Sequence, residues 1–326
     1  MNAVVGVADV CRPASIRRMI LLAVYGVIPL AGLVWLIDAL TGSGAVRHWL
    51  PASPTGWPWY GLVFGMPHIC ASLVGLLDVQ VVRHHRRELA LSLVVAMLSA
   101  WAMMFVLPSP WGVRLLIVWT MFHVMGQQTG LALATSNAGL VDNWIGRLWR
   151  FLLACAAASF ALAIGGEAMH ASLVHEPATW VQASGLIMLA SLPAALWLHR
   201  RTQLAAGDSR MILATQALCF ASWLMVAQGY PLLAVLLPRM VHDATAFYFY
   251  AQYAGSPVAR GNSLLRWLNT VRGWRRWVML PLGVVLALLL SLLPPVCALA
   301  ATILHYCVER YFWRRGAPMR SALAFS

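Results

Sequence analysis

Long apolar runs, each roughly the thickness of a bilayer, alternate with short polar connections along most of the chain. Ten such runs stand out, at 19–40, 58–82, 88–107, 111–136, 148–166, 178–198, 211–229, 231–253, 277–293 and 296–313. An α-helix rises about 1.5 Å per residue, so about 20 apolar residues cross a hydrocarbon core about 30 Å thick. Each run therefore predicts a transmembrane helix. Prolines at 108, 110, 231, 294 and 295 punctuate the turns. The longest connection, 254–276, mixes arginines with tryptophans and predicts an amphipathic segment on the membrane surface.

Composition strengthens this picture. Of 326 residues 61% are hydrophobic and only 10% charged, against about 25% charged in a soluble domain. The expected fold is an all-α, polytopic transmembrane helix bundle, a single integral membrane domain over 1–326. No segment remains for an independent soluble domain.

The net charge of +13 comes from 23 arginines and no lysine. Twenty of the 23 fall before run one, after each even-numbered run and at the chain end, while Arg47, Arg114 and Arg239 do not. Basic residues favour the cytoplasmic side of short loops. Both termini are thus expected in the cytoplasm, and a bacterial inner membrane is the expected location. The basic charge meets lipid headgroups rather than nucleic acid. Six cysteines without a CxxC pair imply neither a disulfide framework nor a zinc ribbon.

Polar residues inside the apolar runs carry the candidate chemistry. Six of the ten histidines (His48, His84, His85, His170, His175, His199) sit in connections or at run ends. His68, His123, His242 and His305 lie inside runs two, four, eight and ten, which all cross in the same direction. Each is about 9 to 12 residues from its run's outer end, so about 14–18 Å deep. Four spans bring an imidazole to one plane. Ionisable groups at that depth face a bundle interior, a partner or water.

Companions lie close by. Glu309 follows His305 by four residues, on one helical face. Gln127 and Gln128 follow His123, Arg239 and Asp243 flank His242, and Tyr248 and Tyr250 lie further along that helix. Pro67, beside His68, predicts a kink, and Gly61 and Gly65 permit close approach of a neighbouring helix. Asp78, followed by Arg83, Arg86 and Arg87, reads as an interfacial ion pair.

Imidazoles with carboxylates suit a non-haem metal, one or two iron ions. His68, His123, His242, His305 and Glu309 are the expected ligands, with Asp243 next. Gln127, Gln128, Tyr248 and Arg239 would orient ligands or stabilise charge. Paired histidines also ligate haem b. Met66, Met121, Met125, Met240, Cys70 and Cys307 near the histidines allow copper. A proton-coupled transporter is the reading outside enzymes. The HxxxH and HxxHH boxes of membrane desaturases are absent.

The segments FGMPHICASLVGLLD, WTMFHVMGQQTGLA, PRMVHDATAFYFYAQY and LHYCVERYFWRR together resemble the architecture of Brp/Blh-like membrane β-carotene dioxygenases. That resemblance implies a four-histidine iron, dioxygen as co-substrate and a lipophilic substrate arriving from the bilayer. The expectation is a membrane oxygenase whose four imidazoles converge within a few ångströms.

Overall fold

The computed structural model describes residues 14–15, 17–42, 44–51, 60–107, 109–136, 143–167, 177–205, 207–256, 259, 261–268, 278–314, 316–321 and 323–324. His170, His175 and the arginines at 12, 260, 272, 275, 276 and 315 lie outside these residues. So does most of the surface segment expected at 254–276.

The chain begins with β1 (Ala14–Ser15), then α1 (Arg18–Val24), α2 (Val27–Thr41) and α3 (Ala45–Trp49). Run two is built in pieces: α4 (Tyr60–Val63), α5 (Met66–Leu73), a 3-10 turn Val74–Leu77, and α6 (Val79–His84). The long helices follow: α7 (Arg86–Trp101), a π-helical Ala102–Val106, α8 (Ser109–Ser136), α9 (Trp144–Glu167), α10 (Pro177–Leu204), α11 (Arg210–Ala227) and α12 (Pro231–Ala254). The chain closes with α13 (Ser263–Leu268), α14 (Met279–Ser291), α15 (Pro295–Phe312), α16 (Pro318–Ser321) and β2 (Leu323–Ala324).

Every predicted run carries helix, and among the described residues seven helices are long and apolar enough to cross a membrane by length and composition. The helices of runs four, nine and ten fall outside that group. α8 and α15 carry polar groups such as Gln127, Gln128 and Glu309, and α14 has only 13 residues. In α13, Leu265 is buried while Trp267 is 69% exposed.

The helices turn large apolar side chains outward and small ones inward, as lipid-facing bundles do. In α7, Leu91, Val94, Leu98 and Trp101 are exposed, whereas Ser92, Ala96 and Ala100 are buried. The buried stripe, spaced by four residues, lets α15 pack closely, with Ile303 against Ala96 and Ala100. α9 lies between α8 and α10, and α14 lies along α5. Gly283 of α14 sits against the carbonyl of Pro67 with no room for a Cβ.

Beside the small cluster of Ala96, Ala100 and Ile303 stand two larger apolar cores. The larger draws on α1, α2 and α8 to α12, the smaller on α5, α12, α14 and α15. Helix α12 belongs to both: Leu237 and Val241 face the first, Tyr250 and Tyr253 the second. His68, His123, His242 and His305 lie along this seam. At the ends of the chain, β1 pairs in parallel with β2, Ala14 opposite Leu323.

Asp78 departs from the expected ion pair. It is fully buried, accepts from Tyr253 Oη (2.5 Å) and caps α6 by accepting from the Gln80 amide (2.8 Å). The preceding 3-10 turn rotates its carboxylate inward, away from the arginines of the surface.

Candidate metal centre

Each ligand position has a local cause. The run-two helix breaks at Gly65 (φ 104°), two residues before Pro67. Pro67 then occupies the first turn of α5, where its missing N–H is not needed. Gly65 is required twice over: its φ excludes most side chains, and a Cβ there would lie 2.5 Å from Arg239 Nη2. His68 follows on the first turn of α5. His305 and Glu309, four residues apart, share one face of α15. His242 stands four residues after Pro238, which α12 accommodates without interruption.

Three imidazoles meet by the same nitrogen. His68 Nε2 lies 3.0 Å from His305 Nε2 and 3.1 Å from His242 Nε2. Glu309 Oε2 is 3.5 Å from His305 Nε2. One ligand atom from each of His68, His242, His305 and Glu309 falls within 4.8 Å of all the others, and all four residues are buried.

The protons cannot satisfy this arrangement. Ser72 Oγ donates to the Ile69 carbonyl (2.7 Å), so it accepts from His305 Nδ1 (2.6 Å). The proton of His305 is therefore on Nδ1, and its Nε2 turns a lone pair to the cluster. His68 Nε2 carries at most one proton, yet faces two ring nitrogens. Ring nitrogens and a carboxylate oxygen converge here on a common centre. Two ligand atoms each about 2.1 Å from one ion, at 90–110°, stand about 3.0–3.4 Å apart. The two Nε2 contacts of His68 fit that spacing. The group could hold a metal ion, whose charge would offset the buried Glu309 carboxylate.

His123 stands one bond further out. Its Nε2 is 3.2 Å from Glu309 Oε2, and its ring packs on Tyr306 at 4.4 Å between centroids. Glu309 also accepts from Gln127 Nε2 on Oε2 and from Tyr250 Oη on Oε1. The carboxylate is thus gripped on both oxygens.

The remaining expected residues divide. Arg239 and Asp243 form a buried ion pair, Nε to Oδ1 at 3.1 Å, with the guanidinium against Gly65. Gln128 faces away from the cluster. It donates to Thr245 Oγ1 (2.9 Å) and accepts from Tyr25 Oη (3.3 Å), while Thr245 donates to the His242 carbonyl (2.9 Å). Gln128 therefore braces the helix that carries His242. Tyr248 is turned to the chain's start, where its oxygen accepts from the Arg17 amide (2.8 Å). Tyr250, two residues on, takes the place beside Glu309.

Residues not picked out from the sequence are Ser72 and Tyr306. Ser72 follows His68 by four residues, so the same-face spacing that marked Glu309 also marks it. Tyr306 accompanies His123 and hydrogen-bonds Thr120 Oγ1 at 2.5 Å. Among the described residues, His68 Nδ1 and His242 Nδ1 have no hydrogen-bond partner. The sulfurs considered for copper are absent from the ligand group: Met66 accepts from Thr302 (3.9 Å), and Met121 and Met125 lie in the larger apolar core.

No protein-family model, curated protein or solved structure matches this chain.

Proposed function

We propose that the chain is a membrane-embedded oxidoreductase with a non-haem metal centre, iron by preference, that uses dioxygen on a lipophilic substrate. The observation that carries this reading is the convergence of His68, His242 and His305 through Nε2 beside Glu309. Three imidazoles and a carboxylate, without sulfur, form a moderately hard donor set that favours iron over copper(I). Bound iron would supply redox chemistry and activation of dioxygen. Glu309 would be both ligand and the anchor for Gln127, His123 and Tyr250, which hold its oxygens in position. Arg239 and Asp243 would keep a charged but neutralised wall beside the centre. The buried surroundings would exclude water.

Haem fits less well. Its two axial nitrogens stand on opposite faces of the macrocycle, about 4 Å apart, twice a metal–nitrogen bond. Nitrogens 3.0 and 3.1 Å apart leave no plane between them.

We also propose ten crossings with both ends cytoplasmic. The β1–β2 pairing supports an even number, because paired ends share one side. Seven is odd, so at least one of α8, α14 and α15 would cross as well. The arginine distribution supports the cytoplasmic assignment.

Elemental mass spectrometry on protein purified in mild detergent tests the centre. The expected result is near-stoichiometric iron, lost in His305→Ala, with no Soret absorption. Absence of metal after anaerobic reconstitution with iron, copper or manganese would replace this reading by a histidine–carboxylate proton relay in a transporter.

A further inference from the structure

The cluster is buried, and a lipophilic substrate needs a way in. Helix α15 packs along α7 and α5, whereas α8 packs along α9 and α11. A ladder of side chains joins α8 to α15: Thr120 to Tyr306, His123 to Glu309 and Gln127 to Glu309. Among the described residues no hydrogen bond joins these helices beyond Gln127, toward their C-terminal ends. The two helices are not packed along one another there, each lying against other neighbours.

Three observations describe this gap. His123 is partly exposed, its side chain at 8% where those of His305 and Glu309 are at 0%. A Cβ built on Gly126, three residues further along, would meet nothing within 4 Å. Finally, two arginines stand over the gap. Arg150 Nη2 donates to the Gly126 carbonyl (3.3 Å), and its guanidinium would touch a Cβ on Gly130. Arg310 is exposed on α15 and close enough for the two positive charges to repel. Among the described residues no carboxylate pairs with either.

We propose that the centre is reached laterally through this gap between α8 and α15, and that the gap admits a single-chain lipophile with a carboxylate head. The inference rests on reading the cluster as a reactive centre. The two uncompensated guanidinium groups, next to an apolar environment, select an anionic head. Gly126 lies about one helical turn from His123, roughly 5 Å along α8. A head held by Arg150 therefore brings the first carbons of the chain to the centre, and reaction near the head follows. The gap opens on the membrane half that holds the chain ends, so the substrate would enter from that leaflet.

Binding of an anthroyloxy-labelled stearic acid to the full-length protein in neutral detergent tests this, beside its methyl ester and with metal content measured on each sample. The acid is expected to bind saturably and about tenfold more tightly than the ester, as a charge-assisted pair provides. Arg150→Gln should abolish that preference, and Gly126→Leu should block both ligands with metal content unchanged. Arg310→Gln, an exposed change that leaves packing alone, should reduce the preference even if Gly126→Leu fails to fold. Equal affinity for acid and ester in the unmodified protein would overturn the proposal. So would displacement of the acid by phosphatidylglycerol but not by unlabelled stearate, which makes the gap a lipid site. Stearate binding without metal would remove the metalloenzyme and leave only the carboxylate-binding site; metal without head-group preference does the reverse.

Discussion

Ser72 has a single proton, and giving it to the Ile69 carbonyl sets the tautomer of His305. Ser72→Ala removes that constraint while leaving every proposed ligand in place. Loss of a partner to a ligating histidine typically weakens metal binding about 10–100-fold, and competition with a chelator of known affinity would measure it. His123 offers the contrasting case. Standing outside the four-residue group, it is expected to behave as a support to Glu309: His123→Ala should weaken the metal without removing it, whereas His305→Ala should remove it. Equal, complete loss in both variants would make His123 a true ligand. The sequence made these histidines visible because a polar atom at mid-membrane is costly and their depths match. It could not separate His123 from the others, since depth says nothing about sideways displacement, and α8 is held back by α9 and α11. The choice between Tyr248 and Tyr250 was hidden for a similar reason. α12 carries tyrosines at 248, 250 and 253, and which one faces Glu309 depends on how packing rotates the helix.

At the scale of the element, two glycines set how closely helices approach the site. Gly65 combines a left-handed φ with the guanidinium of Arg239 against its Cα. Gly65→Ala should cost about 1–3 kcal/mol, as a strained backbone position does, read as a lower midpoint in thermal unfolding in detergent. Its effect should exceed that of Gly61→Ala, where a Cβ has open space. Gly283 sits on the Pro67 carbonyl, so any side chain there pushes α14 from α5 and disturbs the turn that presents His68. The kink near Pro67 was legible from the proline alone. That the break falls at Gly65 was not, because the partner filling the space comes from Arg239, 174 positions later in the chain. Asp78 is a parallel case: its acid is local, but Tyr253, which satisfies it, lies on α12.

For the whole molecule, helix occurs within each of the ten predicted apolar runs, as a bilayer's demand for internally bonded backbone would lead one to expect. Length and composition alone single out seven of them. Those left out include α8 and α15, which carry part of the polar centre and lose hydropathy for that reason. Reporter fusions at the two ends should both be active only in the cytoplasmic sense: green fluorescent protein bright at each end, alkaline phosphatase inactive at each. Opposite readings at the two ends would contradict the even crossing number and the β1–β2 pairing together.

The four grouped residues are far apart in the chain: His68 on α5, His242 on α12, and His305 with Glu309 on α15. A ribosome feeding this chain into a membrane releases α15 after α5 and α12. Until then the nascent protein holds only His68 and His242 of the group, too few to retain an ion. Maturation would then have a fixed order, with insertion first, closure of α15 against α7 and α5 next, and the ion last. Delivery of the cofactor would thus be a step performed on a finished membrane protein, not on a growing one.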